Sequence, residues 1–316
     1  MNTKRLNLIL DTDIGGDCDD TMALVYLFYA QRNLGVDLKA VTSANGCEQS
    51  TMLIKTFFDF YNQPACPIGK ASSGTKSFDT YATAVTERFP TEKCEFEDSV
   101  KVLRRTLNDS NNVTLCAIGP LTNIAQLLNS ASDEISEYNG VELIKRKCDK
   151  LVLMAGSFVK GDDGKNVPEF NAYVDIKATQ DVVNLCPVPI VFLPFETGLD
   201  MLTGKPAMQN EKSTTPLSYA FNIYCSKNQP DGRHSWDPAT LVYAIEGERD
   251  FFTQSKTGTI TVDEEGRTSF STHKNGLHTF LTIAKKDNQS ELQRKKEIAQ
   301  YIDDCAQKLT KMQNNA

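Results

Sequence analysis

The chain predicts an α/β fold: a single domain with a mainly parallel central sheet flanked by helices, ending in a small C-terminal hairpin and helix. Three observations carry this. Five short apolar runs end in small or acidic residues: Leu6–Leu10, Leu38–Ser43, Val113–Ile118, Leu151–Met154 and Ile190–Pro194. Runs of this length suit strands buried on both faces of a parallel sheet. Helix-period patterns follow most of them, and strand alternating with helix indicates parallel pairing. No repeat, low-complexity tract or linker interrupts the 316 residues, so 1–316 reads as one domain.

The elements follow in order. After the first run, Asp20–Gln31 places Met22, Ala23, Leu24, Leu27 and Phe28 on one helical face. Thr122–Leu128 follows the third run and Lys177–Leu185 the fourth. Ligands of such sheets bind at the carboxyl ends of the strands. Each run ends beside a polar cluster, so the clusters are expected to converge. The segment Thr257–Thr272 differs. Thr259–Val262, the turn Asp263–Gly266 and Arg267–Ser271 read as a surface hairpin. Ser290–Met312 reads as a charged amphipathic helix with a solvated Lys and Glu face.

Composition narrows the partners. The formal net charge of -7 argues against nucleic acid, whose backbone calls for clustered Lys and Arg, but not against a nucleoside. Nine cysteines, an odd number without C-x-x-C pairs, argue against a zinc ribbon or a full disulfide framework and suit a reducing compartment. Met1 through Lys4 and Arg5 lead straight into Leu6–Leu10, too short for a signal-peptide core. No apolar stretch approaches the roughly 18 residues of a membrane span. The expected location is the cytoplasm, with no membrane partner.

The most informative stretch is Leu8–Leu24. Asp11, Asp13, Asp17, Asp19 and Asp20 fall within ten residues. Crowded carboxylates repel, and each is costly to bury unpaired. A hard divalent cation answers both costs, and all-oxygen ligation favours calcium or magnesium. Gly15 and Gly16 allow the sharp turn that gathers the carboxylates. Asp19 or Asp20 also reads as a first-turn acid of the following helix. That accounts for one or two of the five. The loop lacks the length and closing Glu of an EF-hand. A D-x-D after an apolar strand also occurs in aspartyl-phosphate phosphatases, although Gly15 stands where they carry Thr or Val.

Four further blocks follow: Thr42-Ser-Ala-Asn45-Gly46, Ala117-Ile-Gly-Pro-Leu-Thr122-Asn123-Ile-Ala125, Leu153-Met154-Ala-Gly156 with Pro168-Glu169-Phe170-Asn171 and Asp175, and Ser235-Trp236-Asp237-Pro238. Taken in order with the acidic loop, they resemble the inosine–uridine-preferring nucleoside hydrolase family, calcium-dependent nucleoside N-ribohydrolases. Two departures mark the chain as divergent. Ile14 replaces the family's Pro with two extra residues before the Asp pair, and Trp236 replaces the late His.

The resemblance implies a nucleoside hydrolase-like fold, a Ca2+ cofactor, a small-molecule nucleoside substrate and a homodimer or homotetramer. It implies that Asp13 binds calcium and takes the proton of the attacking water. Asp20, the Thr122 carbonyl and Asp237 are the other implied metal ligands. Asp19, Asn45, Asn166, Glu169 and Asn171 are implied ribose contacts, with Met154 lining the pocket; Asp17 competes with Asp19 for its role. Asn45-Gly46 also reads as a turn, Thr122-Asn123 as a helix cap, Glu169 and Asn171 as loop polars, and Asp237 as a helix-start residue.

The usual leaving-group acid is missing at Trp236. A ring there suits stacking on a wide base, which implies a purine leaning. Trp236 also reads as a packed core aromatic. His234 is a second candidate acid, and Arg233 a candidate contact to a less usual substrate. Two other readings stay open: a hydrolase of another N-riboside or modified nucleoside, and a ribose-binding protein without turnover.

Overall fold

Alternate residues of the apolar runs go to opposite faces of one sheet, and both faces are covered. In the first strand Leu8 and Leu10 join one buried cluster while Ile9 joins the other. Val152 and Met154 likewise oppose Leu151 and Leu153, and Val191 and Leu193 oppose Ile190 and Phe192. The period of two along a strand thus serves two cores at once. The computed structural model describes residues 5–209, 212–225 and 228–314. Residues 1–4, read above as leading straight into a strand, lie outside these.

The strands are β1 (Leu6–Thr12), β2 (Val36–Ser43), β3 (Ile68–Lys70), β4 (Glu97–Asp98), β5 (Val113–Ala117), β6 (Cys148–Met154), β7 (Ile190–Leu193), β8 (Leu202–Thr203), β9 (Arg233–His234), β10 (Phe252–Gln254), β11 (Gly258–Val262), β12 (Thr268–Thr272) and β13 (His278–Ile283). Eleven of them form one sheet in the order β12-β11-β13-β7-β6-β5-β1-β2-β3-β4, with β10 on β13. From β4 through β7 to β13 the pairing is parallel. β8 and β9 form a separate antiparallel pair.

The sheet grows outward both ways from β1, with β2 on one side and β5 on the other. That reversal is a topological switch point, where the loops after the neighbouring strands part and leave a crevice. The register aligns the carboxyl ends around it: Asp11 faces Ala117, Ala117 faces Leu153, and Met154 faces Leu193.

The five expected strands and their three helices are present, the helices as Asp19–Asn33, Thr122–Asn129 and Ile176–Leu185. The hairpin corrects one expectation. β11 and β12 are not a surface appendage, because β13 joins β11 antiparallel and β7 parallel and so ties them into the sheet. Ile260 is buried in one of the two cores, and Thr268 where its hydroxyl bonds the Ser157 backbone. The last helix, Glu291–Asn314, packs an apolar side that includes Ile298, Ile302 and Leu309 into the core. Among the described residues, no helix is long and apolar enough to cross a membrane.

That last helix also buries a carboxylate. Asp303 accepts the Gly204 N–H at 2.8 Å, and burial pushes its carboxyl from 3.8 up to about 7. The folded state therefore holds a proton that the unfolded chain releases, so stability present below pH 3.8 is lost as pH rises towards 7. Asp303→Asn keeps an acceptor for Gly204 and removes the titration. The variant should match the wild type near pH 4 in urea titrations and become more stable by about 1–4 kcal/mol at pH 8. A difference that does not vary with pH would count against the burial argument.

Candidate active site

The site grows from the end of β1. The chain turns after Asp13 through Gly15, whose φ of +109° is open to glycine, and enters the helix Asp19–Asn33. The turn is fastened from several sides. Asn45 donates through Nδ2 to the carbonyls of Asp13 and Ile14, at 3.2 Å each, and of Phe78 at 2.8 Å. Its Oδ1 accepts the N–H groups of Cys47 and Phe78. Tyr81 accepts the Gly15 N–H through its hydroxyl and donates to the Asp17 carbonyl. Beneath the turn, Asp11 Oδ1 accepts from Thr42 at 2.5 Å and Asn123 at 2.8 Å. Burial still pushes Asp11 up to about 7.

Four carboxylates then meet. Asp19, Asp20 and Asp237 each present an oxygen within 4.8 Å of the others, and all three are buried. Asp20 accepts from the Thr12 hydroxyl. Asp19 Oδ2 accepts the N–H groups of Trp236 and Asp237, each at 3.1 Å, at the start of the helix Trp236–Glu246. Those first-turn N–H groups and the helix dipole favour an anion there. Asp13 stands beside the trio. Burial pushes it up to about 8, with the charges of Asp17, Asp11 and Glu169 adding to the rise. Asp19, Asp20 and Asp237 rise well above the ordinary carboxylate range, first from burial and then from the charge of neighbouring acids: Asp17 and Asp13 on Asp19, Asp13 and Asp19 on Asp20, and Asp19 and Asp20 on Asp237.

So many buried carboxylates are unfavourable without a positive partner. Arg233, a cation on the cleft wall, is engaged by Asp17, to which Nε donates at 2.9 Å and Nη2 also donates. The trio and Asp13 form an all-oxygen donor set of high charge, which fits a hard divalent cation.

A cleft of about 520 Å³ opens over this cluster. Ile118 and Met154 line it from the ends of β5 and β6. Glu169 lines it as the cap of a short helix, accepting from Asn171 and Ala172 and also from the Gly156 N–H. Burial pushes Glu169 up to about 7. Asn171 donates to the carbonyls of Ile118 at 3.2 Å and Met154 at 3.0 Å. Aromatic rings form the outer walls. Phe195 and Trp236 stack with centroids 5.4 Å apart, the indole N–H donating to the Phe195 carbonyl. Phe78 and Phe170 pack at 5.5 Å, with Tyr173 against Phe170. Tyr224 and Arg233 also line it.

Asp13, Asp19, Asp20, Met154, Glu169, Asn171, Trp236 and Asp237 therefore share one cleft, as expected from the sequence. Three expected residues do not line it. Asn45 spends both ends of its amide on the backbone of the turn, so it shapes the loop from below. Asn166 donates to the Thr268 carbonyl at 2.5 Å and anchors its loop to β12. Thr122 opens a helix and donates its hydroxyl to Asp175; Ile118 is the residue of that loop on the cleft wall. His234 accepts the Asp200 N–H at Nδ1 outside the lining, and burial lowers its pKa. Ile118, Phe195 and Tyr224 were not singled out in the sequence. Phe195 directly follows an expected strand end, whereas Tyr224 lies in a segment without a motif.

Comparison with known proteins places this architecture. The family model described as inosine-uridine preferring nucleoside hydrolase matches residues 8–306. The non-specific ribonucleoside hydrolase RihC of Salmonella paratyphi A is 27% identical over 298 residues, covering 84% of this chain and 90% of that one. An uncharacterised protein of Schizosaccharomyces pombe is also 27% identical, over 208 residues that span 60% of this chain and 61% of that protein. Among solved structures, the purine-preferring ribonucleoside hydrolase from Gardnerella vaginalis superposes with a TM-score of 0.69 at 20% identity, covering 95% of this chain and 99% of that one.

The placement of Asp13 depends on a neighbour without a side chain. A Cβ at Gly119 would lie 2.9 Å from the nitrogen, Cβ and Oδ1 of Asp13, closer than real Cβ atoms come. Gly119→Ala should lower the urea midpoint, at a cost of about 1–3 kcal/mol. It should also weaken binding of a divalent cation in calorimetric titration. If both quantities stay at wild-type values, Gly119 is not there to make room for Asp13.

Proposed function

The chain belongs to the inosine–uridine preferring nucleoside hydrolase family, and we propose that it hydrolyses the N-glycosidic bond of ribonucleosides to ribose and free base. The observation that carries this is the convergence of Asp13, Asp19, Asp20 and Asp237, from opposite ends of the chain, under an aromatic-walled cleft.

The chemistry follows from that arrangement. A water oxygen attacks the anomeric carbon of the ribose, the bond to the base nitrogen breaks, and its electron pair leaves with the base. The sugar passes through an oxocarbenium-like state with positive charge at the anomeric carbon. Buried carboxylates fixed in advance stabilise that charge without reorganising. Asp13 accepts the proton of the water. Burial raises the carboxyl of Asp13 and so favours its neutral form, and positive charge beside it would favour the ionised form that works as a base. Asp13, Asp20, Asp237 and their neighbour Asp19 would hold a calcium ion, which would supply that charge, Lewis acidity towards a water, and affinity for a cis-diol.

Asp19, Glu169 and Asn171 are the polar groups suited to the ribose hydroxyls, since carboxylates accept and an amide both donates and accepts. Ile118, at the strand end beside Asn171, is better placed than Thr122 to offer a carbonyl. The base lies among the aromatic rings. The stacked pair of Phe195 and Trp236 supports a purine leaning, because a wider ring buries more area against it.

The test is release of reducing sugar from inosine, adenosine, uridine and cytidine. Chelation should abolish release and added calcium restore it, while Asp13→Ala should cost about 10³-fold or more in kcat. No sugar from any nucleoside in the presence of calcium would overturn the proposal. Trp236→Ala should lower kcat/KM for inosine about tenfold more than for uridine. Wild-type turnover of uridine equal to that of inosine would remove the purine leaning alone.

A further inference from the structure

Cleavage of a nucleoside leaves negative charge on the departing base, and His234 is not placed to relieve it. It lies outside the cleft lining, with Nδ1 bonded to the Asp200 N–H. The indole N–H of Trp236 is spent on the Phe195 carbonyl. Arg233 is different. Its guanidinium carbon sits 4.9 Å from the Trp236 ring centroid and 5.3 Å from that of Tyr224, on the wall where the base is expected. Nε and Nη2 donate to Asp17, while Nη1 makes no hydrogen bond to any described residue. The side chain is 16% exposed, so the cation is largely desolvated yet open to the cleft.

We propose that Arg233 is the leaving-group residue of this enzyme, donating a charge-assisted hydrogen bond from its guanidinium to a ring nitrogen or exocyclic oxygen of the departing base. This rests on the nucleoside hydrolase reading above. Asp17 aims the guanidinium: its two oxygens engage the fork from one side, which fixes the direction of the remaining N–H groups. The cation–π contact with Trp236 keeps the guanidinium at the base wall. The role is hydrogen bonding and electrostatics rather than proton donation, since a guanidinium does not lose its proton in this setting. The base departs with the electron pair of the broken bond, and its proton comes from solvent after release.

The assignment predicts a dependence on the leaving group. A 4-nitrophenyl riboside presents the same sugar but expels a phenolate that needs little help. In Arg233→Gln, kcat for inosine should fall about 10²-fold or more. The loss on the 4-nitrophenyl riboside should be less than a tenth of that. Arg233→Lys keeps the charge but not the fork, and should lie between wild type and Arg233→Gln on inosine. It also serves as the test should Arg233→Gln not fold. Equal losses on both substrates would make Arg233 a structural partner of Asp17 and overturn the assignment, as would no loss on inosine. Wild-type protein inactive on every nucleoside but active on the 4-nitrophenyl riboside would refute the nucleoside reading. Retained inosine turnover with no leaving-group split would refute the role of Arg233 alone.

Discussion

The energetic problem at the centre of this protein is the confinement of like charge. Asp13, Asp19, Asp20 and Asp237 are buried together, burial is the first cost of ionising each of them, and the charges of neighbouring carboxylates, Asp17 among them, add to it. Protonation would relieve the repulsion but leave no base for hydrolysis. A multivalent cation relieves it and keeps the carboxylates ionised. Substrate chemistry draws on the same field, because a sugar acquiring positive charge is a further favourable partner for these groups. The site is thus costly in isolation and least costly when occupied.

The rest of the fold answers the mechanical side of that problem. Repelling groups stay together only where the backbone cannot give way. The acidic turn leaves a central strand with a neighbour on each side, and Asn45, Ser50 and Tyr81 bond it at successive points. Asp237 arrives from a distant segment and is drawn in because Asp19 accepts the N–H groups that open its helix. One carboxylate of the cluster thereby fixes the position of another.

Much of this was legible in the sequence, for identifiable reasons. Strands buried on both faces leave unbroken apolar runs, so β1, β5, β6 and β7 stood out. Five aspartates in ten residues have few explanations besides a cation. What stayed hidden depended on direction rather than identity. Asn45 and Asn166 are of the right type near the right place, but their amides point to backbone carbonyls. That Ile118 rather than Thr122 lines the cleft has no signature in side-chain identity, because it depends on where the loop after the strand turns. Gly119 was visible as a glycine, but not as the gap that Asp13 occupies. The hairpin was misjudged because β13, which binds it to the sheet, was not expected as a strand.

The two departures from the family pattern gain a common meaning in three dimensions. The longer acidic loop includes Asp17, a fifth acid that the buried cluster does not use. Trp236 stands at the place of the usual His and removes an acid from the leaving-group side. Arg233 meets both changes, since it pairs with Asp17 and lies against the Trp236 ring. Without Asp17, this half-buried guanidinium would lack its carboxylate partner and its orientation. Without Arg233, Asp17 would add another uncompensated charge beside Asp13 and Asp19, both of which already feel it. Asp17 and Arg233 therefore compensate each other, so the longer loop and the aromatic ring are linked through one ion pair that lies on the cleft wall.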